Sequence, residues 1–228
     1  LRSRNMGDIE YAGLPNCKLL SILDKKVKER HDLDLDFFGI LNRFRNDVSI
    51  AVRQINCLFP EYTPHDAQYH LKHLFFLADD ILGSDRLGFM NPAELFILAI
   101  ALYGHDWGMS VGIPEKTYIT TGKLIEGSEK NDLWIALPDE QKNYQDFLER
   151  NCLHNSTHTP VEDISLRLWR EYVRQTHAFR SAARIRKFFE PIDRGIAESA
   201  ARICEGHWLE FEELQDQKRY PSSFSVLG

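Results

Sequence analysis

Residues 97–109 read ILAIALYGHDWGM, an apolar segment that closes with a histidine and an aspartate, His105 and Asp106. The inner end of a core helix is an unfavourable place for both residues, because burying a polar or charged group costs free energy unless a partner compensates. A bound metal ion is one such partner. The sequence NPAE at 91–94 opens the segment with the pattern of a capping box and a proline at the first helical position. The stretch therefore predicts a core helix with a candidate metal site at its end.

The spacing of apolar residues in the rest of the chain is also typical of helices. Thr63 and Pro64 form a helix start signal, and Gly83 is the expected stop of that helix. The predicted helices cover 36–58 as one or two helices, about 63–82, 91–106, 161–189 and about 195–208. No internal repeat or clear linker is present. The sequence therefore predicts an all-α fold.

Residues from about 110 to 160 interrupt this pattern with glycines, prolines and polar clusters such as VGIPEK and NCLHNSTHTP. These residues favour loops, with one short helix at about 139–150. We interpret the region as a loop-rich insertion in a domain that covers residues 59–228. Residues 1–58 are predicted to form an N-terminal helical segment that packs on the core of this domain.

The composition is that of an ordinary globular protein, with 228 residues, 43% of them hydrophobic and 27% charged. The net charge of −6 opposes bulk attraction to nucleic acid or anionic membranes, so any anion site must be local. The four cysteines form no C-x-x-C pair and indicate reduced thiols. No apolar run approaches the ~20 residues of a membrane span, and no secretory signal opens the chain. We predict a cytoplasmic protein with no membrane partner.

Four predicted helices each offer a histidine or a carboxylate to a common interior. His70 shares an apolar stripe with Leu74 and Leu77 at helical spacing, so its side chain is expected to point inward. The other candidates lie in or at the ends of later helices: His105, Asp106, His177 and His207. Neutral imidazole combined with a carboxylate suits Mn, Fe, Mg, Co, Ni or Zn. The pattern predicts a divalent metal site without selecting the metal.

The segments FPEYTPHDAQYHLKHL, ALYGHDWG, RQTHAFRSA and EGHW resemble the motifs of the HD superfamily of metal-dependent phosphohydrolases, over about residues 59–208. The resemblance implies an HD-domain-like helical bundle that holds two divalent ions. His70, His105 and Asp106 would hold one ion, and His177 and His207 would hold the second and share Asp106. It also implies catalytic roles for His105 and Asp106 in a phosphodiesterase or nucleotidase that uses a metal-activated water.

The chain departs from the HD pattern in two places. Leu71 stands where many members have serine, and the final aspartate of the family has no match after His207. We therefore expect the domain to be incomplete at its C-terminus, with a downstream domain missing from this chain, or else a different carboxylate as ligand. A closer similarity is to the bacterial HD module next to Hsp90-like ATPase domains. The alternative function is a catalytically degenerate HD sensor that binds metal or nucleotide and regulates a partner domain.

A continuous helix over Val161–Phe189 would also carry arginines on the side of His177. Guanidinium groups bind phosphate in a bidentate manner. Four arginines would lie within about 60° of His177 on that helix, and these are the predicted substrate-binding residues: Arg170, Arg174, Arg180 and Arg184. The alternative is a face whose arginines pair with acids elsewhere. The predicted partner is a phosphorylated small molecule, a nucleotide by preference, with single-stranded nucleic acid left open and the oligomeric state not predicted.

Several other residues compete for roles in this site. His65 lies at a helix start and is predicted to bind substrate or to cap the helix, and His73 is a candidate to support His70. Cys204 is predicted to be core packing. Three further residues have a zinc-like spacing in a polar setting that favours a solvated loop: Cys152, His154 and His158.

Overall fold

The computed structural model describes residues 16–30, 32, 35–61, 70–127, 139–152 and 161–209. Within these ranges the chain is helical and contains no strand, which confirms the all-α prediction. The helices are α1 (Lys18–Glu29), α2 (Phe37–Val52), α3 (Ile55–Leu58), α4 (His70–Phe89), α5 (Pro92–Gly104), α6 (Ile113–Thr121), α7 (Glu140–Cys152), α8 (Val161–Phe189) and α9 (Arg194–Gly206). A short 3-10 turn, Trp107–Met109, separates α5 from α6.

Helix α5 is the buried centre of the fold, as its apolar sequence predicts. The Asn91 side chain accepts a hydrogen bond from the Glu94 N–H at 3.0 Å, and the Glu94 carboxylate accepts one from the Asn91 N–H at 2.7 Å. This capping box satisfies N–H groups that have no partner within the helix. Helix α5 packs against α1, α2, α4 and α9. Its C-terminal end therefore lies in the interior, and the candidate metal ligands His105 and Asp106 follow directly after it.

Helix α8 runs without a break over the predicted range 161–189 and packs along α9 and the 3-10 turn. The following helix begins after Asp193, whose side chain accepts a hydrogen bond from the Ile196 N–H at 2.8 Å. Asp193 is thus an N-cap of the usual kind, and the helix ends at Gly206, close to the predicted end at 208. Helix α8 carries His177, and His207 directly follows α9, so these two helices position two of the predicted metal ligands.

The N-terminal residues contribute to the same core. The first residues of helix α1 are bound to α4. The buried carboxylate of Asp79, on α4, accepts hydrogen bonds from the N–H groups of Lys18 at 2.6 Å and Leu19 at 2.8 Å. Helix α2 turns one apolar face inward, with Phe44 and Val48 fully buried. The domain boundary at residue 58 stays a prediction.

The region from 110 to 160 is more regular than its composition indicates. Helix α7 matches the helix predicted at 139–150, whereas α6 was not predicted and replaces part of the expected loop. The signal for α6 was present, since Pro114 and Glu115 follow Gly112 in the arrangement typical of a helix start. The predicted stop at Gly83 is found as a kink within α4, with a φ of 69° that favours glycine.

The structure also bears on the predictions about membranes and cysteines. No single helix in the described ranges is both long and apolar enough to cross a membrane, and the bent pair Pro92–Met109 and Ile113–Thr121 meets that test only when its two parts are taken together. Among the cysteines, Cys17, Cys57 and Cys204 are thiols. Burial raises the pKa of the Cys204 thiol far above its usual range, which agrees with its predicted role in core packing.

Candidate metal centre

The five residues predicted to bind metal come together at one place between α4, α5, α8 and α9. His70 begins the described part of α4, His105 and Asp106 follow α5, His177 lies within α8, and His207 follows α9. They form two groups that share Asp106, and the ligand atoms of each group lie within 4.8 Å of one another. The fold therefore brings together the side chains that the sequence predicts as metal ligands, in groups that could hold a metal ion.

Asp106 lies at the centre of this cluster, and its two carboxylate oxygens face different histidines. Oδ2 is 2.9 Å from Nε2 of His105 and 3.6 Å from Nε2 of His70. Oδ1 is 3.5 Å from Nε2 of His177 and 4.0 Å from Nε2 of His207. One carboxylate thus serves both groups, which is the arrangement expected of a ligand shared by two metal ions.

Three of the four histidines are oriented by their own helices. In each case Nδ1 donates a hydrogen bond to the backbone carbonyl three residues earlier. For His105 and His207 that carbonyl lies in the last turn of a helix, where carbonyls lack a partner within the helix. The Nδ1-to-oxygen distances are 3.1 Å from His105 to Leu102, 2.5 Å from His177 to Arg174, and 2.5 Å from His207 to Cys204. A carbonyl only accepts, so Nδ1 carries a proton in each of these rings, and Nε2 points at the cluster. Metal-binding histidines are oriented in this way.

The closest contact in the cluster tests directly whether a cation fits. Nε2 of His177 and Nε2 of His207 are 2.8 Å apart. When both Nδ1 atoms carry the proton, the two Nε2 lone pairs oppose each other at this distance and repel. A proton or a metal ion between them would remove the repulsion. Burial lowers the pKa of both imidazoles and so disfavours the proton. The donor set therefore fits a divalent cation.

The pKa of His105 differs in direction from those of the second group. Burial lowers the pKa of this imidazole, but the hydrogen bond and the negative charge of Asp106 outweigh burial, and the net shift is upward. Without a cation, His105 therefore holds a proton against the Asp106 carboxylate more readily than His177 and His207 do. A bound metal ion would replace that proton, as it does whenever imidazole becomes a ligand.

The structure places two of the predicted substrate-binding arginines inside the protein. The side chains of Arg180 and Arg184 are 0% and 3% exposed. Arg184 binds both carboxylate oxygens of Glu115, at 3.1 and 2.9 Å, and Arg180 forms ion pairs with Glu115 and Glu140. The alternative prediction, that arginines on this face pair with acids elsewhere, describes these two. Their contact with a phosphate stays a prediction that their burial does not favour.

The other two arginines are more accessible to solvent. Arg170 pairs with Glu61, and its guanidinium lies over the ring of Phe59 at 5.4 Å. Arg174 pairs with Glu171, and its side chain is 41% exposed. The Arg174 guanidinium also lies 5.3 Å from the ring centroid of Trp208. Their substrate contacts stay predictions too.

Sequence reasoning missed several residues that shape the site. The ring of Trp208 meets the ring of His177 edge-to-face at 5.1 Å and so packs against a predicted metal ligand. Ser181 follows His177 by one helical turn and faces the turn after α5. That spacing could have identified Ser181, whereas nothing near Glu115 or Glu140 in the sequence links them to α8.

Some of the competing candidates lie beyond what the structure describes. His65, His154 and His158 are outside the described residues, as is the side chain of Cys152 and the predicted helix start at 63–64. His73 lies on α4 with an exposed side chain. Its proposed support of His70 stays a prediction.

Comparison with known proteins adds one relationship. The sequence model of the HD-CE family, which is related to HD domains, matches residues 59–226. This range includes all five residues of the cluster and begins one residue after the predicted N-terminal segment ends. No curated protein and no solved structure matches the chain.

Proposed function

Because this chain belongs to the HD-CE family, we propose that it is a metal-dependent phosphohydrolase that acts on a nucleotide or another phosphoester. The observation that carries the proposal is Asp106, whose two oxygens each face a separate group of histidines. A carboxylate between two groups is the arrangement used by enzymes with two metal ions.

The residues divide as the resemblance to HD proteins implies. His70, His105 and one oxygen of Asp106 would hold one ion, and His177, His207 and the other oxygen would hold the second. When bound, such ions supply an activated water as nucleophile and neutralise the charge of the phosphate. The protein contributes oriented Nε2 atoms, because the carbonyls of Leu102, Arg174 and Cys204 fix three of the rings.

Metal content and turnover test this proposal together. Protein purified without chelator is expected to contain a divalent metal and, with Mn²⁺ added, to release phosphate or a nucleotide from a panel of phosphoesters. The panel should include nucleoside mono- and triphosphates, cyclic nucleotides and a single-stranded oligonucleotide. Treatment with a chelator should abolish the release. Metal binding without turnover of any panel member would favour the alternative, an HD sensor that regulates a partner domain.

Arg174 is the arginine best placed to contact a substrate, since its half-exposed side chain lies over Trp208, which contacts the ligand His177. Arg174→Ala is expected to lower kcat/KM by roughly tenfold, the lower end of what a charge-assisted contact to phosphate contributes at an exposed position. Metal content should not change. The measurement is steady-state kinetics on the best substrate of the panel, with metal analysis of the same samples.

Arg167→Ala is the matched control for this variant. Arg167 is exposed on the same helix, seven residues earlier and so roughly 10 Å along the axis on the same side. Like Arg174, it contributes to lowering the pKa of Glu171, although the hydrogen bond from Arg174 is the larger cause. Equal loss of kcat/KM in both variants would indicate a general effect of charge, and the proposed contact of Arg174 would be withdrawn.

The wider setting of this domain follows from sequence similarity alone. The similarity to HD modules next to Hsp90-like ATPase domains leads us to propose a downstream domain that the HD-type domain serves. A cytoplasmic location is proposed separately, from the free thiols of Cys17, Cys57 and Cys204.

A further inference from the structure

The backbone of the turn that carries Asp106 is held by two side chains of α8. The hydroxyl of Ser181 donates a hydrogen bond to the carbonyl of His105 at 2.6 Å and accepts one from the N–H of Gly108 at 2.7 Å. The Nη1 atom of Arg184 donates hydrogen bonds to the carbonyls of Trp107 at 2.6 Å and Ser110 at 2.8 Å. The peptide group that precedes Asp106 and the peptide group between Trp107 and Gly108 are thus held by one helix.

The same helix carries a ligand of the second group. His177 lies one turn before Ser181 on α8, and its Nε2 faces the Oδ1 atom of Asp106. Helix α8 therefore sets both partners of this contact, His177 through its own backbone and Asp106 through the turn. The relative position of the two groups of candidate ligands therefore depends on the hydrogen bonds between α8 and the turn.

Burial and charge agree with a positioning role for Arg184. Burial lowers the pKa of this guanidinium, and the ion pair with Glu115 opposes that effect. A buried arginine is unfavourable unless its charge is paired and its donors are used. The carboxylate of Glu115 provides the opposite charge, and the carbonyls of Trp107 and Ser110 accept hydrogen bonds from Nη1. The buried ion pair therefore keeps the Arg184 guanidinium in a position where it holds the backbone between Trp107 and Ser110, directly after Asp106.

We propose that Ser181 and Arg184 are positioning residues that hold Asp106 in register with His177, so that both groups can bind metal at once. The inference rests on the proposed function, because it assumes that the two groups bind metal. It differs from the predicted role of Arg184 in binding phosphate, since the side chain acts on the backbone of the turn and touches no substrate.

Titration of chelator-treated protein with Co²⁺ tests this inference, because the visible absorption of Co²⁺ reports its ligand geometry. Ser181→Ala removes both hydrogen bonds of the hydroxyl with little change in volume. We expect this variant to fold, to bind Co²⁺ at least about tenfold more weakly, as loss of an outer supporting contact does, and to show an altered absorption band. Arg184→Lys keeps the charge beside Glu115 but loses the planar fork, and it should change the band in the same way.

Tyr172→Phe is the matched control. Tyr172 also lies on α8, and its buried hydroxyl donates to the carbonyl of Glu140 at 3.2 Å, away from the turn. It should lower the melting temperature and leave the Co²⁺ band unchanged. Unchanged bands in Ser181→Ala and Arg184→Lys, or equal changes in all three variants, would overturn the positioning role alone. Failure of the parent protein to bind Co²⁺ would overturn the proposed function as well.

Discussion

Asp106→Asn is expected to empty both metal groups, because the one carboxylate faces the Nε2 atoms of all four histidines. The amide keeps the shape of the side chain but loses the charge and one strong acceptor. Changes to residues that only support a ligand already weaken metal binding by about 10- to 100-fold, so loss of the shared ligand should weaken it by more than about a hundredfold. Elemental analysis of the purified variant would measure this loss.

A second change should accompany the loss of metal. The hydrogen bond and charge of Asp106 hold the pKa of His105 above its usual value against the effect of burial. In the Asp106→Asn variant burial is opposed only by the backbone hydrogen bond to Leu102, so the pKa of His105 should fall. The imidazole would then stay neutral to lower pH than in the metal-free parent protein, which a titration of the ring signals by NMR in both metal-free proteins can follow.

Asp79→Asn is the control for this experiment. Asp79 is also a buried carboxylate, 3% exposed, but it accepts hydrogen bonds from the first N–H groups of α1 and belongs to neither metal group. This variant should lose stability, because a charged acceptor at a helix start is replaced, and it should keep its metal. An Asp106→Asn protein with the metal content of the parent would show that the ligand assignment is wrong.

The elements that the sequence predicts well are those whose signals are local. The capping residue Asn91 identifies the start of α5 because the hydrogen bonds of its capping box lie within four residues. The inward direction of His70 follows from helical spacing, and the structure places this residue in the cluster. Local spacing thus sufficed for the all-α fold, and together with the resemblance to HD motifs it selected the five residues of the candidate metal centre.

Predictions that depended on distant partners were weaker. Helical phase correctly places Arg180 and Arg184 on α8, but it cannot reveal that Glu115 and Glu140, from a region predicted as loop-rich, lie opposite them. These ion pairs join residues that are far apart in the chain, and a single sequence carries no signal for them. The same guanidinium groups that suit phosphate also suit buried carboxylates, so residue type alone left both roles open.

Gly108→Ala is expected to disrupt the whole centre, because α8 packs directly on this glycine. A Cβ atom at position 108 would lie 2.0 Å from the carbonyl oxygen of His177, 2.7 Å from the N of Ser181 and 2.8 Å from the Cβ of Arg180. Two of these atoms are helix backbone, which cannot move aside as a flexible side chain can. The helix and the turn must separate, and Asp106 would then move away from His177.

The expected loss of stability exceeds that of ordinary overpacking, which is about 1–3 kcal/mol, and a loss of ~3 kcal/mol corresponds to roughly 6–12 °C in Tm for a chain of this size. Binding of Co²⁺ should weaken in parallel, because the contact between Asp106 and His177 joins the two groups. Thermal unfolding and Co²⁺ titration of the same preparation measure both effects.

Gly88→Ala separates this effect from the general consequence of removing a glycine. Gly88 lies within α4, and a Cβ atom there would meet nothing within 4 Å. Alanine in an unhindered helical position stabilises a protein by about 0.4–1 kcal/mol, since it restricts the unfolded chain. The control should therefore melt at or above the parent temperature with its metal binding intact. If Gly108→Ala behaved in the same way, the turn would have to tolerate a side chain against the backbone of α8, and the close packing that brings Asp106 to His177 would not be what holds the two metal groups together.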